Sequence, residues 1–431
     1  MEMLKKILFL FILLLFISIA IWKQISAFSS ESIKGVYETT QLPQFSVNDF
    51  TNNTFQEKFS QYIEDLKGLK GVFIRIRNQV DYSLFSIPHA TNIVRGKQGY
   101  LFGEENIIAS MGKDFAGEYY LDVKIQELKQ FQDVLWEKKK ILLLLIITPD
   151  KASFFPEMIP ERYSKYKEAE NNYLYYSEKV DKAGINVIDF NRYFILAKDT
   201  SRYPLFAKTG MHWSSYGALL AADSMIHYLS SKLDLKFPEI VIDRIEESRM
   251  PKDDDDDISR TMNLFFNISQ PELAYPKYHF KSDRETIRQS ALFIGDSYYW
   301  NWYRSGIISN VFRNPDFWYY DKEVYPASFV QKRYTWQVDL KREIERHKII
   351  VLLHNNNGEE YDFGFGFVDR AWPEYDPSEN NRIRNIEAYL AKSPENMKIY
   401  ENKSKEWNIP LESVMRADAI FAGNNVLRKK K

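Results

Sequence analysis

The run Ile141-Leu142-Leu143-Leu144-Leu145-Ile146-Ile147 constrains the fold of this chain more than any other feature. Consecutive apolar residues leave no polar face to give to water. The run is too short to cross a membrane, so it predicts a parallel strand buried on both faces. Its flanks agree. Apolar spacing over 123–140 predicts a helix before it, and Thr148-Pro149-Asp150 stops it. Gly184–Asp189, Ala291–Gly295 and Lys348–Leu353 are further runs of this kind, the last preceded by a helical stretch at Trp336–Arg346. Strands alternating with helices predict an α/β fold, a mostly parallel sheet with helices on both faces. The chain has 431 residues, 45% of them hydrophobic, enough for one large domain or two smaller ones.

The remaining segments divide the chain. Lys5-Lys6 precedes the uncharged, apolar stretch Ile7–Trp22. Such a stretch is short for a spanning helix and long for a signal-peptide core, and Ile25-Ser26-Ala27 is a poor cleavage site. The reading is a transmembrane signal anchor over 1–23, with a cleaved signal as the alternative. Lys5 and Lys6 then stay in the cytoplasm and everything after Lys23 lies outside. Residues 24–90 read as a tether followed by one or two amphipathic helices over Phe55–Leu84. Asn92–Phe102 predicts a β-hairpin turning at Lys97-Gln98-Gly99. A main domain is expected over 91–378. It contains a Tyr-rich helix at 161–183, a long helix from His212 to Leu233 and an irregular insertion at 237–288. Residues 379–431 close the chain as one or two helices and a basic tail, Arg428–Lys431.

Composition excludes several functions. The net charge is −1, without the basic footprint of a nucleic-acid-binding protein. No cysteine is present, so disulfides, thiolate metal sites and cysteine nucleophiles are ruled out. His89, His212, His227, His279, His347 and His354 lack metal-ligand spacing, and no metal is expected. No Gly-rich phosphate loop is present, so no nucleotide cofactor is expected. The run Asp253–Asp257 reads as a solvated loop, unless a helix N-terminus uses one of its carboxylates.

Two segments about eighty residues apart carry the chemistry: His212-Trp213-Ser214-Ser215-Tyr216-Gly217 and Ile294-Gly295-Asp296-Ser297. In an open α/β sheet, ligands bind beyond the carboxyl ends of the strands. Ser297 follows one predicted strand, Thr148-Pro149-Asp150-Lys151 another, and His354-Asn355-Asn356-Asn357 a third. A serine hydroxyl needs a base within hydrogen-bond reach, and His212 is the candidate. An oxyanion hole needs N–H donors, which the Ser297 and Tyr298 amides and one of Asn355, Asn356 or Asn357 are placed to supply.

Four segments together resemble the alginate O-acetyltransferase type of SGNH-hydrolase-like proteins, which acetylate polysaccharides outside the cytoplasm. They are Val94–Phe102, with its Gly-Lys-x-Gly-aromatic-Leu-Phe pattern; Pro149–Glu157; Lys208–Ser214, with its His-Trp pair; and Ile294–Ser297. The likeness spans roughly residues 90–370, with the histidine block ahead of the serine block. The resemblance implies an SGNH-like sheet, Ser297 as the residue that takes the acetyl group and His212 as general base. It also implies a sugar hydroxyl of an exopolysaccharide or cell-wall glycan as acceptor. The acetyl donor would come through a membrane-bound O-acyltransferase partner, beside which the N-terminal anchor would hold the domain.

One position departs from the pattern. The family's aspartate stands two residues before the histidine, where this chain has Gly210. Either another carboxylate substitutes, Asp150 being the candidate, or a Ser–His dyad acts alone, or the protein only binds glycan. Lys151 is placed to touch a sugar or an acyl carbonyl, or is simply solvated. Trp213 and Tyr216 read as core sooner than as a sugar platform. Tyr361–Val368 reads as packing sooner than as an acceptor groove, and His354 as structural sooner than as a rival base. The leading expectation is a membrane-anchored extracytoplasmic O-acetyltransferase; the alternatives are a carbohydrate acetylesterase and a catalytically weakened glycan-binding subunit.

Overall fold

The computed structural model describes residues 41–66, 69–163, 170–355 and 362–429, with Leu10 and Leu14. The expected anchor over 1–23 otherwise lies outside the described residues, as do the tether from 24 to 40, Asn356, Asn357, Tyr361 and the end of the basic tail. Among the described residues no helix is long and apolar enough to cross a membrane.

The chain divides into two compact units: Met1–Arg95 with Asp257–Ile268, and Gly96–Asp256 with Ser269–Lys431. In the first, two helices, Thr54–Leu66 and Leu69–Phe85, occupy the stretch read as amphipathic. The second of them holds the 257–268 segment: Asn78 Nδ2 donates to Met262 O at 2.8 Å, and Phe266 N donates to Gln79 Oε1 at 3.0 Å.

The second unit is built on strands β1 (Leu142–Ile147), β2 (Val187–Asp189), β3 (Glu239–Ser248), β4 (Leu273–Lys281), β5 (Ser290–Gly295), β6 (Arg313–Tyr319), β7 (Glu323–Tyr325) and β8 (Ile349–His354). Six of them form one sheet in the order β2-β1-β8-β5-β6-β7. All pairings are parallel except the last, β6 with β7. Every residue of β1, β5 and β8 is buried. Because side chains alternate across a strand, the aliphatic run of β1 feeds two cores. Leu142, Leu144 and Ile146 pack on one face with Trp213, Leu219 and Met225. Leu143, Leu145 and Ile147 pack on the other with Leu128, Phe131 and Leu135 of the helix Glu118–Lys139. Each such side chain contributes roughly 1.5–3 kcal/mol by leaving water, and only a sheet covered on both faces can bury them all.

Several expectations change. The sheet has two strands more than the sequence shows, β6 and β7. Their residues (Arg-Asn-Pro-Asp-Phe-Trp-Tyr and Glu-Val-Tyr) mix proline, charge and aromatics where the other strands are aliphatic. The stretch 237–288, expected to be irregular, contains the antiparallel ribbon β3/β4, registered from Glu239↔Lys281 to Ser248↔Leu273. Most of β3 is exposed or half-buried, so its charged residues hide the strand pattern. The helix expected at Trp336–Arg346 is a single turn at Thr335–Gln337 followed by Leu340–Glu345. The C-terminal segment forms three helices, Pro377–Leu390, Pro394–Trp407 and Leu411–Arg428. Strands at Ile93–Arg95 and Leu101–Gly103 fall where the hairpin was expected, separated by the one-turn helix Lys97–Gly99.

The strand order fixes where a site can form. The carboxyl ends of β1, β8 and β5 lie side by side, and from them emerge Thr148–Lys151, Asn355 and Asp296-Ser297.

Candidate active site

Ser297 is placed by the close approach of β5 to β8. A Cβ on Gly295 would stand 2.6 Å from Leu353 Cβ, so only glycine fits there. The chain then turns. Tyr298 N donates to Asp296 Oδ1 at 2.9 Å, Trp300 N donates to Ser297 O at 3.1 Å, and the helix Tyr299–Arg304 follows. Ser297 is left half-buried at the strand end.

His212 is placed by an extended segment. Phe206 and Trp213 form an antiparallel bridge, and Ser214 N donates to Leu205 O at 2.8 Å. The helix begins later than expected, at Ser215, with Ser214 as its N-cap accepting from Gly217 N at 3.0 Å. His212 therefore precedes the helix and stands free of its first turn. The segment before it is held by Lys151, whose Nζ donates to the carbonyls of Ala207 (2.7 Å), Lys208 (3.0 Å) and Gly210 (2.6 Å). Lys151 is only 1% exposed. The reading of a solvated lysine is thus corrected: Lys151 is buried and pins the backbone that carries the histidine.

These two placements bring His212 Nε2 and Ser297 Oγ to 2.7 Å. With the imidazole proton on Nδ1, the serine hydroxyl donates to Nε2, the arrangement a nucleophile and its base require. The Tyr298 ring meets the imidazole edge-on, with centroids 4.8 Å apart, and is itself fixed by its hydroxyl, which donates to Pro149 O at 2.6 Å. Tyr298 thus supports the imidazole. Its amide is taken by Asp296, which corrects the expectation that this N–H would serve an oxyanion. Burial pushes the Asp296 carboxyl up to about 6, against the opposing pull of the Tyr298 amide and of nearby His212.

Asp150 is corrected as a third member of the group. Its Oδ1 accepts from Asn106 Nδ2 at 2.9 Å and its Oδ2 from Ser153 N and Oγ, both at 2.7 Å, so it caps the short helix Lys151–Phe154. Burial pushes its carboxyl above the ordinary range even so. Trp213 is buried against Trp302, with Nε1 donating to Asn301 Oδ1 at 3.2 Å, and offers no face to a sugar. Asn355 follows β8, half-buried, with Oδ1 buried and without a hydrogen-bond partner among the described residues. His354 is pushed down to about 4 by burial and packs between Tyr176 and Phe363, as a structural histidine does. Phe363 and Phe367 of the aromatic segment are core, while Phe365 meets Tyr320. Among the described residues no group of three or more His, Asp or Glu side chains could hold a metal ion.

The acidic run has more structure than its composition suggests. A Cβ on Gly210 would stand 3.1 Å from Asp255 O and 3.3 Å from Asp254 O. The loop thus fills the space into which a residue at 210 would project. Thr209 Oγ1 donates to Asp255 O at 3.1 Å, and Ser215 N, at the start of the helix, donates to Asp255 Oδ1 at 3.1 Å. Asp254 takes Arg304 Nε at 2.9 Å and Asn301 Nδ2 at 3.3 Å. The expectation of a solvated loop is corrected at Asp255, only 1% exposed, while the use of one carboxylate at a helix N-terminus is what the structure contains. The sequence reading also passed over Asp296. Asp296 lay inside a motif read for its serine.

Residues 93–294 match the family described as SGNH hydrolase-like domain, acetyltransferase AlgX. The match contains three of the four resembling segments and His212, and it ends just before Ser297. No curated protein matches the chain at a significant level. Among solved structures, the O-acetyltransferase domain of Pseudomonas putida AlgJ is 17% identical, covering 66% of this chain and 99% of that one, with a TM-score of 0.42. Pseudomonas aeruginosa AlgX is 16% identical, covering 69% and 71%, with a TM-score of 0.44. Bacillus cereus PatB1 is 10% identical, covering 62% and 97%, with a TM-score of 0.35.

Proposed function

We propose that this chain, whose residues 93–294 match the SGNH hydrolase-like acetyltransferase family of AlgX, is an O-acetyltransferase acting on a polysaccharide, with Ser297 as nucleophile and His212 as general base. The observation that carries this reading is the 2.7 Å contact between His212 Nε2 and Ser297 Oγ at the carboxyl end of the sheet. His212 takes the hydroxyl proton as Ser297 Oγ attacks the acetyl carbonyl, and returns it to the departing group. The acetyl-serine is then attacked by a sugar hydroxyl, whose proton passes to His212 in the same way. Asp296 supports the imidazolium through its charge, and the Asp255 carboxylate stands at the start of the helix that follows His212.

The apolar stretch Ile7–Trp22 after Lys5-Lys6 supports single-pass anchoring with the domain on the extracytoplasmic side. Acetyl-CoA does not reach that side; the likeness to the alginate O-acetyltransferase type supports a membrane-bound O-acyltransferase as donor and an exopolysaccharide or cell-wall glycan as acceptor. The test is polymer acetate content, measured by NMR, in cells carrying wild type or Ser297→Ala. Loss of acetate in the variant supports the transferase; unchanged acetate overturns it. A rise in acetate would transfer the same residues to an acetylesterase, since water and a sugar hydroxyl compete for one acetyl-serine.

A further inference from the structure

The short helix after Ser297 divides its aromatic residues between two environments. In Tyr299-Trp300-Asn301-Trp302-Tyr303, Tyr299 and Trp302 are buried. Tyr299 stacks on Phe317 of β6 with centroids 3.8 Å apart, and Trp302 Nε1 donates to Ala218 O at 2.8 Å. Trp300 and Tyr303, three residues apart and so neighbours on one side of the helix, lie at the margin of that core. Trp300 is half-buried and Tyr303 is 37% exposed, with their rings edge to face at 5.7 Å.

The edge of the sheet extends this margin. Tyr325 of β7 lies opposite Phe317 of β6, and Tyr319, two residues along β6, shares that face. Both are half-buried, and the Trp300 ring meets both, Tyr319 at 5.7 Å and Tyr325 at 4.9 Å. The chain then turns through Ala327–Phe329 and sets Phe329, 54% exposed, against Tyr325 at 4.8 Å, Trp300 at 6.1 Å and Tyr303 at 5.5 Å. Five rings in mutual contact thus make one partly open aromatic surface. Its rim is polar: the Tyr325 hydroxyl donates to Glu323 Oε2 at 2.7 Å, and Lys332 pairs with the same carboxylate.

A single exposed ring needs no explanation, but a continuous apolar patch with a polar rim marks a binding surface. Its place in the fold says what it binds. Tyr319 pairs with Gly295 at the carboxyl ends of β6 and β5, and Trp300 N donates to Ser297 O at 3.1 Å, so the surface begins at the turn that carries the nucleophile. A sugar ring has the matching chemistry. Its C–H faces are apolar and lie flat on aromatic rings, which offer large contact areas, while its hydroxyls point outward to a polar rim. We infer that Trp300, Tyr303, Tyr319, Tyr325 and Phe329 form the platform on which the acceptor glycan lies, its sugar rings stacked on theirs while one hydroxyl reaches acetyl-Ser297. This rests on the Ser297–His212 reading.

The test uses cells making the full chain and their own polymer. Two quantities are read from each culture: polymer acetate by NMR, and the share of the chain carrying an acetyl group on Ser297 by peptide mass spectrometry. Wild type is compared with Ser297→Ala, with the double variant Tyr303→Ala/Phe329→Ala and with Tyr303→Phe/Phe329→Tyr, which keeps both rings. Thermal midpoints check folding, and Phe329→Ala alone, at the most exposed ring, is read in the same way should the double variant not fold. The alanine variant is expected to lose most of the polymer acetate while its share of acetyl-Ser297 rises, because the acetyl-serine forms and lacks its acceptor. The ring-keeping variant is expected to match wild type in both. Wild-type polymer acetate in the alanine variant overturns the proposal. So does a fall in acetate without a rise in acetyl-Ser297, since the surface then serves the acetyl donor or the serine turn instead. Wild-type acetate in Ser297→Ala overturns the underlying serine reading.

Discussion

Replacing Asp296 by asparagine is predicted to make the protein more stable at neutral pH and less active. The carboxyl is buried and pushed from its ordinary value of 3.8 up to about 6. Each unit is worth about 1.36 kcal/mol, so the difference of roughly two units corresponds to about 3 kcal/mol. The sign follows from linkage: the folded state holds this proton more tightly than the unfolded chain. Stability from it is complete below 3.8 and is lost as pH rises through about 6. Above that, the folded protein carries an ionised carboxylate that the unfolded chain would hydrate more cheaply. Asparagine keeps an Oδ1 for the Tyr298 amide and carries no charge. Urea unfolding of wild type and Asp296→Asn should therefore differ little near pH 4 and by up to about 3 kcal/mol near pH 8, with the variant more stable. The acylation rate should fall, and its acidic limb should move to lower pH, because His212 loses the charge that favours its protonated form. A stability difference independent of pH, or a variant less stable near pH 8, would refute the reasoning.

Two other substitutions separate support from chemistry. Lys151→Met removes the donor shared by the carbonyls of Ala207, Lys208 and Gly210 and frees the segment leading to His212. Small displacements of a catalytic group cost about 10²-fold, and first-turnover nitrophenol release should fall by that order. Asp150→Ala removes a helix cap and a partner of Asn106, costing about 1–2 kcal/mol in urea unfolding. Its pH–rate profile should match wild type, because none of the Asp150 hydrogen bonds goes to His212.

The parts of the fold legible in the sequence are those where one physical demand dominates. β1, β5 and β8 are buried on both faces, so their residues are aliphatic without interruption and announce themselves. β7 is the edge strand and pairs only with Phe317–Tyr319 of β6, so Asn314, Pro315 and Asp316 are tolerated in the rest of β6 and the strand pattern is lost. The ribbon β3/β4 is hidden for the same reason: exposed strands carry charge. At the site, His212 and Ser297 stood out because their chemistry restricts residue type. Lys151 could not be read, since a lysine is nearly always solvated and only the fold shows it surrounded by carbonyls. Asp255 was masked by its neighbours in the acidic run, of which it is the buried member at a helix start.

The central claim is that Ser297 and His212 form a working acyl-transfer pair without an aspartate at position 210. Intact-mass spectrometry after incubation with p-nitrophenyl acetate tests it most directly, with Ser297→Ala and His212→Ala alongside. The account predicts a single added acetyl group on the wild-type chain, mapped to Ser297 and absent from both variants. An acetyl group that persists at the same level in Ser297→Ala, or a wild-type chain that never acquires one, would contradict it.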